Sequence, residues 1–242
     1  MKNSFKKEND GIFRLDVPFD DIYTSFFLIE GDTPILIDSA TTRQDVEEII
    51  LPALEEKGIG LDTNGYLLIT HRHGDHNGGT KHLLEYLPNF KALTLSDGER
   101  IGDIVACSLS GHASFCFGYI HSPTNTLMSG DALQFYGVSH YGCSIDNVRA
   151  YENTLEKAIA LNADSVLPSH DFIGGTAAAF GKKETAQVIE ACKKEWEDIK
   201  SFVLTNTAHG VCAEELPKLY RDTFPSLPPL PRITIKAILA EA

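Results

Sequence analysis

The sequence predicts an α/β (α+β) protein in which strands, a helix, further strands and another helix follow one another. Short apolar runs at residues 34–38 and 66–70 are typical of buried strands. Apolar residues recur at helical spacing in 42–56 and again after residue 147. The chain has 242 residues, of which 43% are hydrophobic, so it can bury a sizeable core as one large domain or as a domain with an appendage.

The first part of the chain alternates strands and helices. Strands are predicted for 11–17 and 22–29, then for the two apolar runs at 34–38 and 66–70. Thr42 and Asp45 form a capping pair for the helix over 42–56, which Pro52 should kink or shorten. A second helix is predicted over 80–87.

The second part begins with strands and ends in a helix and a strand. Strands are predicted for 91–95, 104–109 and 165–167. Residues 114–120 alternate small with aromatic residues, and 126–129 lead into Gly130 and Asp131. The helix before the last strand is expected to be capped by Asp146, and its apolar positions include Val148, Tyr151, Leu155 and Ile159. Gly174 and Gly175 are expected to end this part of the chain.

The composition changes at about residue 182. A charged helix over 184–204 carries one apolar stripe, formed by Val188, Cys192, Trp196, Ile199 and Val203. Helices are also predicted for 213–220 and 232–240, with a proline-rich linker between them. Because this tail is too small to fold alone, we expect a main domain over 1–181 and a helical extension over 182–242 packed on it.

Charge and cysteine content exclude several classes of protein. The net charge of −13 repels phosphate backbones, which argues against nucleic-acid partners. The five cysteines are odd in number and lack a C-x-x-C pair, which favours reduced thiols and a cytoplasmic location. The N-terminus shows no apolar run after its lysines, and no stretch is long enough to span a membrane, so we expect neither a signal peptide nor a membrane partner.

A cluster of ligand-type residues follows the strand at 66–70. His71, His73, Asp75 and His76 lie within one short loop, and two glycines lead from it into the helix at 80–87. Neutral imidazole and carboxylate are ligands of zinc and similar metals. The loop therefore predicts a metal site at the end of a strand.

The pattern H-x-H-x-D-H followed by Gly-Gly resembles the signature loop of the metallo-β-lactamase superfamily. The resemblance extends from about residue 12 to about residue 175, and it implies a four-layer αββα sandwich, which the order of elements allows. It also implies further ligands in a fixed order, and the sequence supplies His112, Asp131 and His170 at the corresponding places.

The resemblance implies a dinuclear metal site. His71, His73 and His112 should hold one metal, and Asp75, His76 and His170 the second, with Asp131 bridging the two. Two divalent ions are expected, with zinc favoured and iron or manganese left open. Such a pair generates hydroxide at neutral pH, and Asp75 is the expected catalytic residue that orients it.

Other polar residues have two interpretations each. Asp38, in an Asp-Ser-Ala segment that resembles the family's D-[ST]-G element, either supports a ligating histidine or only closes a strand-end turn. The loop over 133–143 should border the active site, so Tyr136, His140 and Tyr141 are candidate substrate contacts, although packing of the loop is the favoured role of the two tyrosines. The remaining histidines, His82, His121 and His209, are expected to be surface or solvated residues.

Together these features predict a hydrolase (EC 3) acting on a small molecule. Asp131 stands where common zinc β-lactamases of this family carry cysteine, which argues against antibiotic hydrolysis. The expected reaction is cleavage of a small ester, thioester or lactone, as in the glyoxalase II-like or lactonase-like branch. Alternatives are a phosphodiesterase or nuclease, a β-lactamase, or a non-enzymatic metal-binding scaffold, and a homo-oligomer is left open.

Overall fold

The structure is a computed structural model that describes residues 4–172 and 178–242. The strands are β1 (Lys6–Asn9), β2 (Ile12–Phe19), β3 (Ile22–Ile29), β4 (Ile35–Ile37), β5 (Gly65–Leu68), β6 (Phe90–Leu93), β7 (Arg100–Ile101), β8 (Ile104–Ser108), β9 (Phe117–His121), β10 (Thr126–Gly130), β11 (Ser165–Pro168) and β12 (Ala179–Phe180). The helices are α1 (Arg43–Asp45), α2 (Leu51–Glu56), α3 (Gly74–Asn77), α4 (Thr80–Tyr86), α5 (Val148–Leu161), α6 (Lys182–Ala208), α7 (Leu216–Thr223) and α8 (Arg232–Ala240).

The strands form two mixed six-stranded sheets. The first has the order β1 to β6, and the second has the order β12 back to β7. In the first sheet β4, β5 and β6 run parallel, and in the second β10 and β11 run parallel. The parallel pairs matter for function, because the carboxyl ends of neighbouring parallel strands meet at one edge of a sheet.

Most predicted elements are present, with shifted ends. The capping box of Thr42 and Asp45 forms as predicted, but a π-helical turn over Val46–Ile50 separates α1 from α2. Pro52 lies in the first turn of α2, where its missing N–H costs least. The cap of α5 was wrongly assigned to Asp146, because the Asn147 side chain accepts the Ala150 N–H.

The chain divides into two compact units. The N-terminal unit comprises the residues up to Cys107 with Tyr119–Thr124, and the C-terminal unit comprises Ser108–Gly118 with the residues from Asn125 onward. The core of the N-terminal unit includes Leu15, Phe26, Leu36 and Leu54, all essentially inaccessible to solvent.

Helix α6 provides much of the core of the C-terminal unit. Ile189, Cys192, Trp196, Ile199 and Val203 are buried along one of its faces, and the helix packs against α5, α8 and β12. The Trp196 ring meets Tyr151 of α5 edge to face at 5.1 Å. The predicted domain boundary at 181/182 stays a prediction.

Two further predictions concern the glycines at 174 and 175 and the membrane-spanning character of the helices. The predicted end at Gly174 and Gly175 lies outside the described residues. In the described part of the chain, no helix combines the length and the apolar character that crossing a bilayer requires.

Candidate metal centre

The first set of ligand-type side chains lies at the carboxyl ends of β4 and β5. Asp38 follows β4, and Thr70 and His71 follow β5, which is parallel to β4 with Ile37 opposite Leu68. Asp38 therefore faces the loop that carries the histidines. Its carboxylate is fully buried and accepts hydrogen bonds from the Thr70 N–H at 2.8 Å and from the Thr70 hydroxyl at 2.9 Å.

Asp38 also fixes the ring of His76. The Nδ1–H of His76 donates to Asp38 Oδ2 at 2.8 Å, and both side chains are wholly buried. Because Nδ1 carries the proton of this bond, Nε2 is the nitrogen with a lone pair available to a ligand. Asp38 thus supports a histidine of the loop, as one of its two interpretations predicted.

His71 is held in the same way. Its Nδ1 lies 3.1 Å from the Thr70 hydroxyl oxygen, which itself donates to Asp38. The other nitrogen, Nε2, lies 3.0 Å from Nδ1 of His73. Asp75 sits at the start of the short helix α3, where its Oδ2 lies 3.2 Å from His76 Nε2 and accepts a hydrogen bond from the Thr24 hydroxyl at 3.1 Å.

The two glycines after this loop allow a close approach of backbones. A Cβ on Gly78 would lie 2.1 Å from the carbonyl oxygen of Thr41, and one on Gly79 would lie 2.1 Å from that of Ser39. The same approach lets the Ser39 N–H donate to the His76 carbonyl at 2.8 Å. The Gly-Gly pair therefore locks the histidine loop against the turn that follows Asp38.

The second set of ligand-type side chains lies in the C-terminal unit. Asp131 follows β10 and His170 follows β11, and these strands are parallel with Gly130 opposite Pro168. His170 Nε2 lies 3.4 Å from Asp131 Oδ2, and His112 Nε2 lies 3.7 Å from the same oxygen. All three side chains are buried, with 3 to 6% of their surface exposed.

The ring of His112 is oriented by a backbone carbonyl. Its Nδ1–H donates to the Ser144 carbonyl at 2.7 Å, which leaves Nε2 directed at Asp131. His112 follows Gly111, whose φ of +129° lies in the region that favours glycine, and a Cβ there would lie 2.5 Å from the Tyr151 backbone. The glycine thus brings the His112 loop against the start of α5.

In each set, one pair of donor atoms has a spacing that suits a divalent metal ion. Two atoms bound at about 2.0–2.2 Å to one tetrahedral ion lie roughly 3.3–3.6 Å apart. The pair of His170 and Asp131, at 3.4 Å, falls in this range, and that of Asp75 and His76, at 3.2 Å, lies close to it. Imidazole nitrogen and carboxylate oxygen also match the chemistry of zinc. The role of the seven residues as ligands stays a prediction.

The three candidate substrate contacts occupy different environments. Tyr136 is partly buried and its hydroxyl donates to Asp198 Oδ2 at 3.3 Å, in a cavity of about 450 Å³ lined also by Phe202 and Tyr220. Burial raises the pKa of Tyr136 to about 12. His140 and Tyr141 are both exposed and their rings stack at 4.2 Å. Their contact with substrate stays a prediction.

The remaining histidines include one correction. His209 is exposed and His82 is partly exposed on α4, as expected. The expectation that His121 is solvated was wrong, because it is 4% exposed and its Nδ1 lies 2.8 Å from the Thr124 hydroxyl. This burial lowers its pKa. A histidine at the end of a strand gives no sequence signal for a local partner of this kind.

Comparison with known proteins gives a family model that matches part of the chain. The family model of the metallo-beta-lactamase superfamily matches residues 19–103, which include the histidine loop and Asp38. The match lies in the N-terminal part of the chain. A metallo-beta-lactamase family protein from Thermus thermophilus, of known structure, superposes with a TM-score of 0.69 at 17% identity, covering 97% of this chain and 92% of that one. The predicted metallo-β-lactamase α/β fold is therefore confirmed.

Curated members of the superfamily are similar over part of their length. The lactamase-like protein aptB of Emericella nidulans is 26% identical over 163 residues, covering 61% of this chain and 50% of that protein. An atrochrysone carboxyl ACP thioesterase of the same organism is 26% identical over 155 residues, 58% of this chain and 48% of the thioesterase. A hydroxyacylglutathione hydrolase of Francisella philomiragia is 29% identical over 123 residues, 44% of this chain and 49% of the hydrolase. The chain spans about half the length of these relatives.

Proposed function

We propose that this chain is a metal-dependent hydrolase of the metallo-β-lactamase superfamily that cleaves a small ester, thioester or lactone. The seven residues His71, His73, Asp75, His76, His112, Asp131 and His170 would together hold two divalent ions, with zinc favoured over iron or manganese because nitrogen donors predominate. The proposal extends to a small-molecule substrate, no nucleic-acid or membrane partner and a cytoplasmic location, and it leaves homo-oligomerisation open.

The orientation of the histidine rings is the observation that carries this proposal. In His71, His76 and His112 one ring nitrogen faces a hydroxyl, a carboxylate or a carbonyl, at distances from 2.7 to 3.1 Å. The opposite nitrogen faces another ligand-type side chain in each case. A metal-ligating histidine is held in this manner, because the outer hydrogen bond fixes both the tautomer and the ring.

Bound divalent ions would supply hydroxide near neutral pH and offset negative charge that develops on a carbonyl oxygen. The protein's own groups have separate tasks. Asp75, whose Oδ2 is positioned by the Thr24 hydroxyl, would orient the attacking water and accept its proton at the carboxylate. Buried Asp131 would compensate part of the positive charge.

The substrate class is supported by the relatives and by surface charge. A thioesterase and a hydroxyacylglutathione hydrolase, both named for cleavage of acyl compounds, are among the similar proteins. The net charge of −13 disfavours the polyanionic substrates of a nuclease or a nucleic-acid phosphodiesterase. Asp131 disfavours a β-lactamase, as the sequence predicted.

Metal content and turnover test this proposal together. Protein purified without chelator, or loaded with zinc, iron or manganese, should contain close to two metals per chain. It should hydrolyse members of a panel of thioesters, lactones and small esters faster than a phosphodiester or a β-lactam. His76→Ala should lose metal and activity, whereas His209→Ala, a matched change at an exposed histidine, should retain both.

Three results would contradict the proposal. No metal uptake would remove the metal centre, and preferred turnover of the phosphodiester or of the β-lactam would assign one of the alternative reactions. Two metals per chain without turnover of any panel member would favour a metal-binding scaffold.

A further inference from the structure

We propose that Gln134 is a positioning residue that holds Asp131 and His112 in one fixed arrangement. The inference rests on the proposed metal centre, but it concerns a residue that belongs to no ligand pattern. Gln134 lies in the loop after β10 and is 2% exposed. A buried primary amide has to satisfy two N–H donors and one acceptor, so its partners identify its task.

The side-chain amide of Gln134 contacts two backbone segments. Its Nε2 donates to the carbonyl oxygen of Asp131 at 2.8 Å, and its Oε1 accepts the N–H of Ser144 at 3.1 Å. The two segments bind different atoms of the same planar group, since the donor is Nε2 and the acceptor is Oε1. One side chain therefore sets the distance between the Asp131 turn and the Ser144 backbone.

Ser144 extends this connection to a histidine. Its carbonyl accepts the Nδ1–H of His112 at 2.7 Å, the shortest of the three hydrogen bonds in this path. The path thus runs from the Asp131 carbonyl through the Gln134 amide and the Ser144 peptide to the His112 ring. The path joins two residues whose side chains also approach each other, since His112 Nε2 and Asp131 Oδ2 lie 3.7 Å apart.

Glutamine suits this position better than its near relatives. Methionine has nearly the same shape but neither donates nor accepts strongly at this site, so both backbone segments would lose a buried partner. Glutamate could accept from Ser144, but its carboxylate cannot donate to the Asp131 carbonyl and would add a negative charge beside Asp131. The neutral amide alone satisfies both segments.

The geometry also separates this role from simple packing. The main-chain N–H of Gln134 donates to the Tyr151 hydroxyl at 3.1 Å, and this bond holds the loop against α5 without involving the side-chain amide. Tyr151→Phe therefore removes a buried hydrogen bond of the same residue while leaving the path from Asp131 to His112 intact. It is the matched control for a change in the amide.

The test measures metal binding by the full chain. Zinc affinity is obtained by competition with a chromophoric chelator, and the visible absorption of the cobalt-loaded protein reports ligand geometry. Gln134→Met and Gln134→Glu should each bind zinc about 10- to 100-fold more weakly and alter the cobalt spectrum, since outer hydrogen-bond partners of ligands have effects of this size. Tyr151→Phe should lower the melting temperature and leave zinc affinity and the cobalt spectrum unchanged.

The outcomes distinguish this inference from the proposed function. Wild-type affinity and an unchanged spectrum in both folded Gln134 variants would overturn the inference while leaving the metal centre in place. A wild-type chain that binds no zinc or cobalt would overturn both. If Gln134→Met does not fold, Gln134→Glu, which keeps the length and shape of glutamine, decides the question alone.

Discussion

The two sets of ligand-type side chains share one geometry but are held by different chemistry. In each unit a parallel pair of strands, β4 with β5 and β10 with β11, brings acidic and imidazole side chains to the same sheet edge. In the N-terminal unit the buried carboxylate of Asp38 holds the ring of His76 by a hydrogen bond. In the C-terminal unit the neutral amide of Gln134 holds the backbone of Asp131. The difference follows from the partners, because Asp38 meets only donors and Gln134 meets one donor and one acceptor.

The two units also differ in the backbone φ angles near these side chains. Gly111 and Gly130, directly before His112 and Asp131, adopt positive φ angles of +129° and +55° without cost from a Cβ. The N-terminal unit instead has Asp38 at +67° and Ala40 at +58°. Its turn is therefore strained where its carboxylate is most strongly bound. We infer that the hydrogen bonds of the Asp38 carboxylate compensate for this strain.

Replacing Asp131 should have the largest effect on metal binding and hydrolysis, because it removes a charge that no positioning residue can replace. Asp131→Asn keeps the shape but weakens metal binding, so metal content should fall below two per chain. Hydrolysis of the best substrate should fall at least about 100-fold, more than is typical of residues behind the ligands. Elemental analysis and rates measured side by side provide the check. Two retained metals with full activity would show that Asp131 is not a ligand.

Replacing Asp38 tests whether a charged organiser matters more than a neutral one. Asn tolerates positive φ, so Asp38→Asn changes the charge with little change in backbone strain. Loss of charge-assisted hydrogen bonds from Thr70 and His76 should lower the free energy of unfolding by about 2–3 kcal/mol. Urea denaturation of the metal-free protein measures this. Asp10→Asn, at an exposed acid, is the control and should leave the stability nearly unchanged.

Glu195 on α6 lies in surroundings that disfavour its charged form. Burial raises the pKa of Glu195 to about 7, and Asp198 adds to this, while a hydrogen bond with the Tyr136 backbone opposes it. The folded state thus favours the protonated carboxyl. The contribution of the protonated Glu195 carboxyl to the stability of the fold is fully present below about pH 4.5, the ordinary pKa of glutamate. This contribution is lost as the pH rises toward 7.

The difference in unfolding free energy between wild type and Glu195→Gln measures this effect. The free energies of unfolding of the two proteins should differ least at pH 4. By pH 8 the free energy of unfolding of the variant should have risen by about 1–2 kcal/mol relative to wild type, a value reduced for partial exposure of the group. Glu190→Gln, at an exposed position of the same helix, is the control substitution. A flat pH profile for Glu195→Gln would show that the Glu195 carboxyl ionises freely in the fold.

The smallest expected effect concerns Ala40. Ala40→Gly relieves a positive φ but loses a buried methyl group and gains entropy in the unfolded chain, so the net gain should be about 0.5 kcal/mol. Thermal unfolding measures it. The matched change Ala53→Gly, at a buried position with ordinary helical backbone, should destabilise by about 1 kcal/mol or more. Equal destabilisation by both changes would mean that the Asp38 turn carries no strain.

Periodicity in the sequence predicted most of the fold, and the failures have local causes. The bounds of α8 were predicted without error, because a proline-rich linker ends at its first turn. Strands β7 and β12 have two residues each, too few for an alternating pattern. The boundary of α5 was misplaced because Asp146 and Asn147 are both good caps and only the backbone decides between them.

The ligand-type residues were accessible from the sequence, whereas the residues behind them were not. The histidine loop has a compact motif, and the family resemblance implied His112, Asp131 and His170. Gln134 and Ser144 have no motif, because their function depends on which backbone groups the fold brings to them. Asp38 lies between these cases, since its strand-end position was visible but its bond to His76 depends on strand pairing.

The ligand-type histidines of the first set lie close together in the sequence, and this affects the order in which the two sets form during synthesis. The residues from Asp38 to His76 leave the ribosome while His170 is still to be added, a delay of roughly 5–20 s at about 5–20 residues per second. Closing the short loop among His71, His73 and His76 costs little entropy, whereas joining His112 to His170 requires a much longer closure. A nascent chain would therefore present its N-terminal histidines, already organised by Asp38, well before the C-terminal set exists.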